Sequence, residues 1–230
     1  MEEKPHTSIQ YERELQEIKE NLIYMGALVE QVIERGIRAL IERDSPLARQ
    51  VIAEDDQIDK LDVEIEGKCI KLLALRQPAA IDLRFITTAI KINGHLERIG
   101  DMAVNIAEKV LILNEEPQLK PYIDIPRMAE IARGMIKESL DAFVSENVDL
   151  ANKVRREDEI VDNLNEQIFR ELLTFMMEDH RNIHRAMIIS QVSKNIERIS
   201  DHAKGIADMV VYMITGKSVR HESFTEEETS

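Results

Sequence analysis

A six-residue pattern, Leu/Ile-Glu-Arg-Ile-x-Asp, occurs twice in this chain, as Leu96-Glu97-Arg98-Ile99-Gly100-Asp101 and again, 100 positions later, as Ile196-Glu197-Arg198-Ile199-Ser200-Asp201. A repeat of that length in a chain of 230 residues divides it into two copies of one unit. The copies agree outside the motif as well. At an offset of 103, Ala39, Leu47, Ala48, Val51, Asp55, Asp59, Leu61 and Ile65 match Ala142, Leu150, Ala151, Val154, Asp158, Asp162, Leu164 and Ile168. At an offset of 100, Glu97, Arg98, Ile99, Asp101, Ala103, Ile106, Ala107 and Val110 match Glu197, Arg198, Ile199, Asp201, Ala203, Ile206, Ala207 and Val210. Three residues are therefore missing between the two blocks of the second copy. Deletions belong in turns, so a turn separates the blocks.

Each unit reads as helical. Leu15, Ile18, Leu22, Met25, Val29, Val32, Ile33, Ile37 and Leu40 recur every three or four positions, which predicts a first helix from about Ser8 to Arg43. Ser45 is the expected cap of a second helix, with Pro46 at its first position and its end near Arg76. Gln77-Pro78-Ala79 breaks the pattern, and a third helix runs from about Ala80 to Asn114. Pro117, Pro121 and Pro126 mark the stretch from Asn114 to Arg127 as the linker, with Asp124 as the expected cap of the fourth helix. That helix ends near Asn147, the fifth covers about Asp149 to Met177, and the sixth covers about Asn182 to Thr215 and stops at Gly216. Scarce Gly and Pro (8 and 6) and an aromatic content of 4% favour helices over sheets. The expected fold is all-α, six helices forming two tandem antiparallel three-helix bundles related by internal duplication. Residues 8–116 form the first bundle and 124–216 the second, and 217–230 reads as a disordered tail.

Glu97 and Asp101 lie one helical turn apart on one face, as do Glu197 and Asp201. The repeat exposes a second acidic pair in each copy, Asp55 with Asp59 and Asp158 with Asp162. In an antiparallel hairpin, residues equally far from the turn lie side by side. Residues 59 and 97 share the midpoint 78 with residues 55 and 101, and Pro78 is the expected turn. Residues 162 and 197, and 158 and 201, share the midpoint between Asp179 and His180. Each acidic pair thus sits roughly 28 Å from its turn, level with the other. Four carboxylates at one height repel unless a counter-charge intervenes. Oxygen-only donors of this kind suit hard or borderline cations, and the lack of His or Cys among them argues against structural zinc. The alternative is a solvated acidic face, with Arg98 and Arg198 neutralising neighbouring acids. Asn105 offers a further ligand one turn beyond Asp101. The second copy has Gly205 there, and its next acid, Asp208, matches Glu108, so the two sites are expected to differ.

A net charge of −14 disfavours nucleic acid and direct contact with an anionic membrane as partners. No apolar run approaches the roughly 20 residues of a membrane span, and the start Met1-Glu2-Glu3-Lys4-Pro5-His6 is no signal region. The expected location is the cytoplasm, with peripheral recruitment to the inner membrane face only through partners. The lone Cys69, in an apolar stretch, reads as a buried core thiol in a reducing compartment. His180 and His184 have ligand spacing, but a solvent or capping role is the simpler reading. His95 and His202 adjoin the acidic motifs at positions that are not equivalent in the repeat. Met176, Met177, Met209 and Met213 read as core packing.

The duplicated acids, the six-helix duplication and the segment Gln77-Pro78-Ala79-Ala80-Ile81-Asp82-Leu83-Arg84 resemble the PhoU family of phosphate-transport regulators, over about Tyr11 to Gly216. The resemblance implies tandem three-helix bundles, often homodimeric. It implies metal held by the acidic motifs, iron first, with manganese, magnesium and zinc also within the family's range, as single or multinuclear ions. The ligand set it implies is Asp55, Asp59, Glu97, Asp101, Asn105, Asp158, Asp162, Glu197 and Asp201. It further implies a non-enzymatic adaptor between the ATPase subunit of the phosphate ABC transporter and a membrane sensor histidine kinase, acting to restrain uptake and the starvation response when phosphate is plentiful. Two other readings compete. A carboxylate-bridged di-metal oxidase needs Glu-x-x-His pairs aimed into the core, and the only such spacing is Glu3 with His6. A purely structural module would leave its acids solvated.

Overall fold

The computed structural model describes residues 5–76, 78 and 80–219. Its six long helices are α1 (Pro5–Glu42), α2 (Ser45–Arg76), α3 (Ala80–Leu113), α4 (Asp124–Ser145), α5 (Val148–Glu178) and α6 (Ile183–Thr215), with a short 3-10 turn at His180–Asn182 before the last. Among the described residues there is no strand. α1, α2 and α3 pack on one another, and so do α4, α5 and α6. The two bundles then join through α3 against α6 and α1 against α4. The sequence patterning anticipates each helix to within three residues at either end.

The caps are where local reading and structure part. Ser45 does not cap α2. Asp44 does, its Oδ1 accepting from the Leu47 N–H at 2.9 Å. Ser45 Oγ instead accepts from Asn114 Nδ2 at 2.9 Å, which ties the start of α2 to the end of α3. Asp124 does not cap α4 either. It lies inside the first turn, and the flanking Ile123 offers no side-chain acceptor. Its charge there still complements the positive end of the helix. Glu146 adopts the left-handed conformation at the end of α4 (φ 52°), and Asn147 caps α5 by accepting from the Leu150 N–H at 3.0 Å. Gly216 closes α6 as expected, at φ 71°, a conformation glycine takes without steric cost.

Hydrogen bonds within each half confirm the register read from the midpoints. Asn93 Nδ2 of α3 donates to Asp62 Oδ1 of α2 at 2.6 Å and to the Asp62 carbonyl at 2.9 Å. At the equivalent positions, Ser193 Oγ of α6 donates to Asn165 Oδ1 of α5 at 2.6 Å. The same polar clasp thus occurs twice, built from different residues. Gly100 lets α2 come close: a Cβ there would lie 3.2 and 3.3 Å from two carbons of Ile58 and 3.4 Å from Asp55 Oδ1. The second half carries the larger Ser200 at that position and the smaller Val161 where the first has Ile58, so volume is traded across the helix pair.

α3 and α6 run antiparallel. Arg84 lies beside Gly216, His95 meets His202 with Nδ1···Nδ1 at 3.1 Å, and Glu116 just beyond α3 meets His184 and Arg185 at the start of α6. His184 thus binds the linker, its Nδ1 2.6 Å from Glu116 Oε1. Arg43, in the turn just after α1, fixes the same linker by donating to the Leu113 and Glu116 carbonyls at 3.1 and 2.5 Å. Phe85 of α3 stacks on Phe143 of α4, ring centroids 5.4 Å apart, across the joint between the bundles. Cys69 is fully buried, and burial pushes its thiol up to about 11.

Gly205 provides the close approach in the α3–α6 joint. A Cβ there would sit 2.5 Å from Cε1 and 2.9 Å from Nε2 of His95. The Gly205→Ala substitution is expected to cost about 1–3 kcal/mol by overpacking, which outweighs the ~1 kcal/mol that alanine gains as a helix former. Replacing His95 with Ala in the same chain should recover most of that loss, and a double-mutant cycle in urea unfolding measures it.

Candidate metal centres

The first acidic cluster stands where α2 faces α3. Asp55 and Asp59 project from α2 and Glu97 and Asp101 from α3, and their charges act on one another across the gap. Partial burial first, then Asp59, Asp101 and Asp56, push the Asp55 carboxyl up to about 6. Burial raises Glu97 too, with Asp101 adding to it and Arg98 opposing. Arg98 is the counter-charge, with Nε 3.3 Å from Glu97 Oε2 and Nη1 3.3 Å from Asp101 Oδ2. Its side chain is 61% exposed, so it sits at the rim of the cluster and contributes little.

The second cluster occupies the equivalent place between α5 and α6. Asp158 is almost completely buried there, unlike its half-buried counterpart Asp55. Asp201, although part of its surface meets solvent, is pushed up to about 6 by desolvation and then by Glu197, Asp158 and Asp162, with Lys204 opposing. Asp162 is raised by desolvation, Asp158 and Glu197, while Lys204 and Lys194 act to lower it. Lys204 Nζ donates to Asp158 Oδ2 at 2.6 Å, and Lys194 Nζ lies 2.6 Å from Glu197 Oε1. Desolvation disfavours the Lys204 charge, but the Asp158 hydrogen bond and the charges of Asp158, Asp201 and Asp162 outweigh it, so its ammonium is raised.

The folding thus brings together four acids in each half: Asp55, Asp59, Glu97 and Asp101, then Asp158, Asp162, Glu197 and Asp201. As the side chains stand, no group of three or more His, Cys, Asp or Glu among the described residues is gathered closely enough to hold a metal ion. Individual oxygens are paired with Arg98, Lys194 and Lys204 instead. The donor chemistry nevertheless fits a hard cation. Every donor is oxygen, the charges converge, and Asp158 Oδ1 is buried without a hydrogen bond from any described residue.

Asn105 lies half-buried on α3, one turn past Asp101. Its counterpart Gly205 is a site of close packing rather than a ligand position left empty, because the His95 ring fills the space a side chain there would take. Asp208, likewise, faces a cation. Its Oδ1 is 2.7 Å from Nε of the buried Arg155 on α5, which also donates to the Val219 carbonyl at 3.2 Å. Val219 packs on the core, so the chain is held at least that far past α6, and the rest of the 217–230 tail lies outside the described residues. His202, between the clusters, is lowered by desolvation and by Arg198 and Arg98.

Sequence patterning pointed to Asp208 as an acid but not to its partner Arg155, nor to Lys204 and Lys194. A signal for them existed in the repeat. Lys204 stands where the first copy has Val104, Lys194 where it has Gly94, and Arg155 where it has Ile52.

A family model described as the PhoU domain matches residues 22–110 and again 125–210. A phosphate-specific transport system accessory protein PhoU homolog from Aquifex aeolicus is 45% identical over 214 residues, 93% of this chain and 97% of that one. The crystal structure of PhoU from Pseudomonas aeruginosa superimposes with a TM-score of 0.87 at 40% identity, covering 90% of this chain and 100% of that chain. The phosphate transport system regulatory protein PhoU from Streptococcus pneumoniae gives 0.85 at 28% identity, covering 91% and 99%.

Raised carboxyls fix the sign of the pH dependence of the metal-free chain. Asp55 and Asp201 titrate near 6 when folded and near 3.9 when unfolded, so the folded state binds more protons between those values. Their contribution is complete below about pH 4 and is lost as pH rises through about 6. The lowered His202 acts the other way over the same range, and the several raised acids outweigh it, so urea unfolding at pH 5, 6 and 7 should show stability falling with pH, and Asp55→Asn should flatten the slope.

Proposed function

This chain belongs to the PhoU family, and from that premise we propose that it is a non-enzymatic regulator of a phosphate-specific transport system that binds divalent metal through its duplicated acids. The observation that carries this reading is the convergence of four carboxylates in each of the two PhoU domains, where burial and mutual repulsion leave charge that a cation would relieve. Asp55, Asp59, Glu97 and Asp101 would hold metal in the first domain, with Asn105 within one turn. Asp158, Asp162, Glu197 and Asp201 would do so in the second. A bound ion supplies concentrated positive charge, and iron, manganese, magnesium or zinc can each supply it. Because the acids of each cluster come from two helices, the ion would brace α2 to α3 and α5 to α6.

The proposed partners are the ATPase subunit of a phosphate ABC transporter and a sensor histidine kinase, with the chain acting as a homodimeric adaptor at the cytoplasmic face. Among the described residues no helix is long and apolar enough to cross a membrane. In this reading, recruitment to the membrane runs through the partners. A braced pair of bundles presents a fixed surface, and metal occupancy shifts the choice of partner only as far as it changes the relative affinities.

Elemental analysis of protein purified without chelator should find bound metal. Added Mn2+ at a hundred times its dissociation constant should stabilise the metal-free chain by about 2.7 kcal/mol. For a chain of this size that raises the melting temperature by about 5–10 °C. Replacing Asp101 and Asp201 together with Asn should abolish the shift; an unchanged shift, or none in the native chain, would favour solvated acids. Co-purification with the transporter ATPase under phosphate-replete conditions tests the adaptor role, and failure to recover it counts against that role.

A further inference from the structure

The two acidic clusters have the same four acids and different cations. In the second, Lys204 leaves α6 three residues after Asp201 and crosses to α5, where its Nζ sits 2.6 Å from Asp158 Oδ2. Asp158 is only 1% exposed, so this is the one acid of the eight that water hardly reaches. Lys194 adds a second ammonium on Glu197. At the matching positions the first half has Val104 and Gly94, neither of which carries charge. Its counter-charge, Arg98, stands at the rim and can swing into solvent at little cost. A divalent ion entering the first cluster displaces at most an exposed guanidinium. One entering the second must expel an ammonium already bonded to a buried carboxylate, or share the space with its positive charge.

We propose that Lys204 is the resident cation of the second cluster, so that the two halves bind divalent ions unequally: the first cluster takes an ion readily, and the second only by displacing the Lys204 ammonium. The proposal rests on the metal-binding reading of the acids and adds to it which half acts. It makes Lys204 the residue that sets that difference, with the buried Asp158 as its anchor. Repeated acids would then serve two purposes, holding an exchangeable ion in one half and closing α5 onto α6 with a tethered charge in the other.

Isothermal titration of the metal-free chain with Mn2+ alone tests this in the native chain and in Asp101→Asn, Asp201→Asn, Lys204→Met and Val104→Lys. The native chain should lose its tight binding in Asp101→Asn and keep it in Asp201→Asn. Lys204→Met should add a second set of tight sites, at least ~10-fold tighter than in the native chain, a change of about 1.4 kcal/mol. Asp201→Asn added to Lys204→Met should remove them again. Val104→Lys should weaken the first cluster by a similar factor. Lys204→Gln serves as the second variant if Lys204→Met fails to fold, and melting of the metal-free variants identifies that case. Equal losses in Asp101→Asn and Asp201→Asn, with Lys204→Met binding as the native chain does, would overturn the proposal while leaving metal binding intact. No Mn2+ heat in the native chain or in any variant would overturn the metal reading, and the unequal sharing with it.

Discussion

α3 and α6 cannot be covered by two neighbours each, and the architecture follows from that. α3 buries Phe85, Ile86, Ala89, Ile92, Leu96, Ile99, Met102, Ala103, Ile106 and Val110, a set that covers a little more than half of its circumference. α6 does the same from Ala186 to Met213. A helix in a three-helix bundle needs only one apolar stripe, and a helix apolar over several faces belongs in the interior. Each of these two takes two neighbours from its own half and the third from the other half. Burying one Ile or Leu contributes about 1.5–3 kcal/mol, so halves held apart would leave many such contributions unrealised. The joint is therefore part of the core. Both acidic clusters stand at the edge of that core, along the seams where α2 meets α3 and α5 meets α6.

The seams hold like charges close together, which no fold adopts without compensation. Different compensations operate in the two halves. Gly100 brings Asp55 close to α3, and Arg98 balances the acids from the rim. In the second half the acid on α5 sinks out of reach of water, which is tolerable only because Lys204 follows it. Arg155 with Asp208, one turn further along, extends the same pattern of charge neutralised inside the helix pair. Duplication preserved the acids and the register, while the cations that balance them diverged.

Much of this was legible in the amino-acid order. Helix periodicity, the turn at Pro78 and the level placement of the acids follow from spacing alone, because an antiparallel hairpin converts residue number into height. What stayed hidden depended on contacts between elements. Asp44 and Ser45 are both competent caps, and Asn114, 69 residues away, draws off the serine. Asp124 had the right residue type one position too late. Gly205 looked like a ligand lost from the repeat, whereas His95 arrives there from the other half, and nothing near residue 205 announces it. The lysines of the second cluster were visible as departures from the repeat, but a comparison that collects identities passes over the places where copies differ.

The opposed directions of α3 and α6 carry one more consequence. The α2–α3 turn and the α5–α6 turn lie at opposite tips of the molecule, since Arg84 adjoins Gly216 at one and Glu116 adjoins His184 at the other. A half-turn about an axis through the middle of the joint carries one unit approximately onto its twin. A single polypeptide thereby has the geometry of a two-fold assembly, without the strict identity that two-fold symmetry imposes on separate subunits. That freedom is what allows a residue such as Lys204 to arise on one side only.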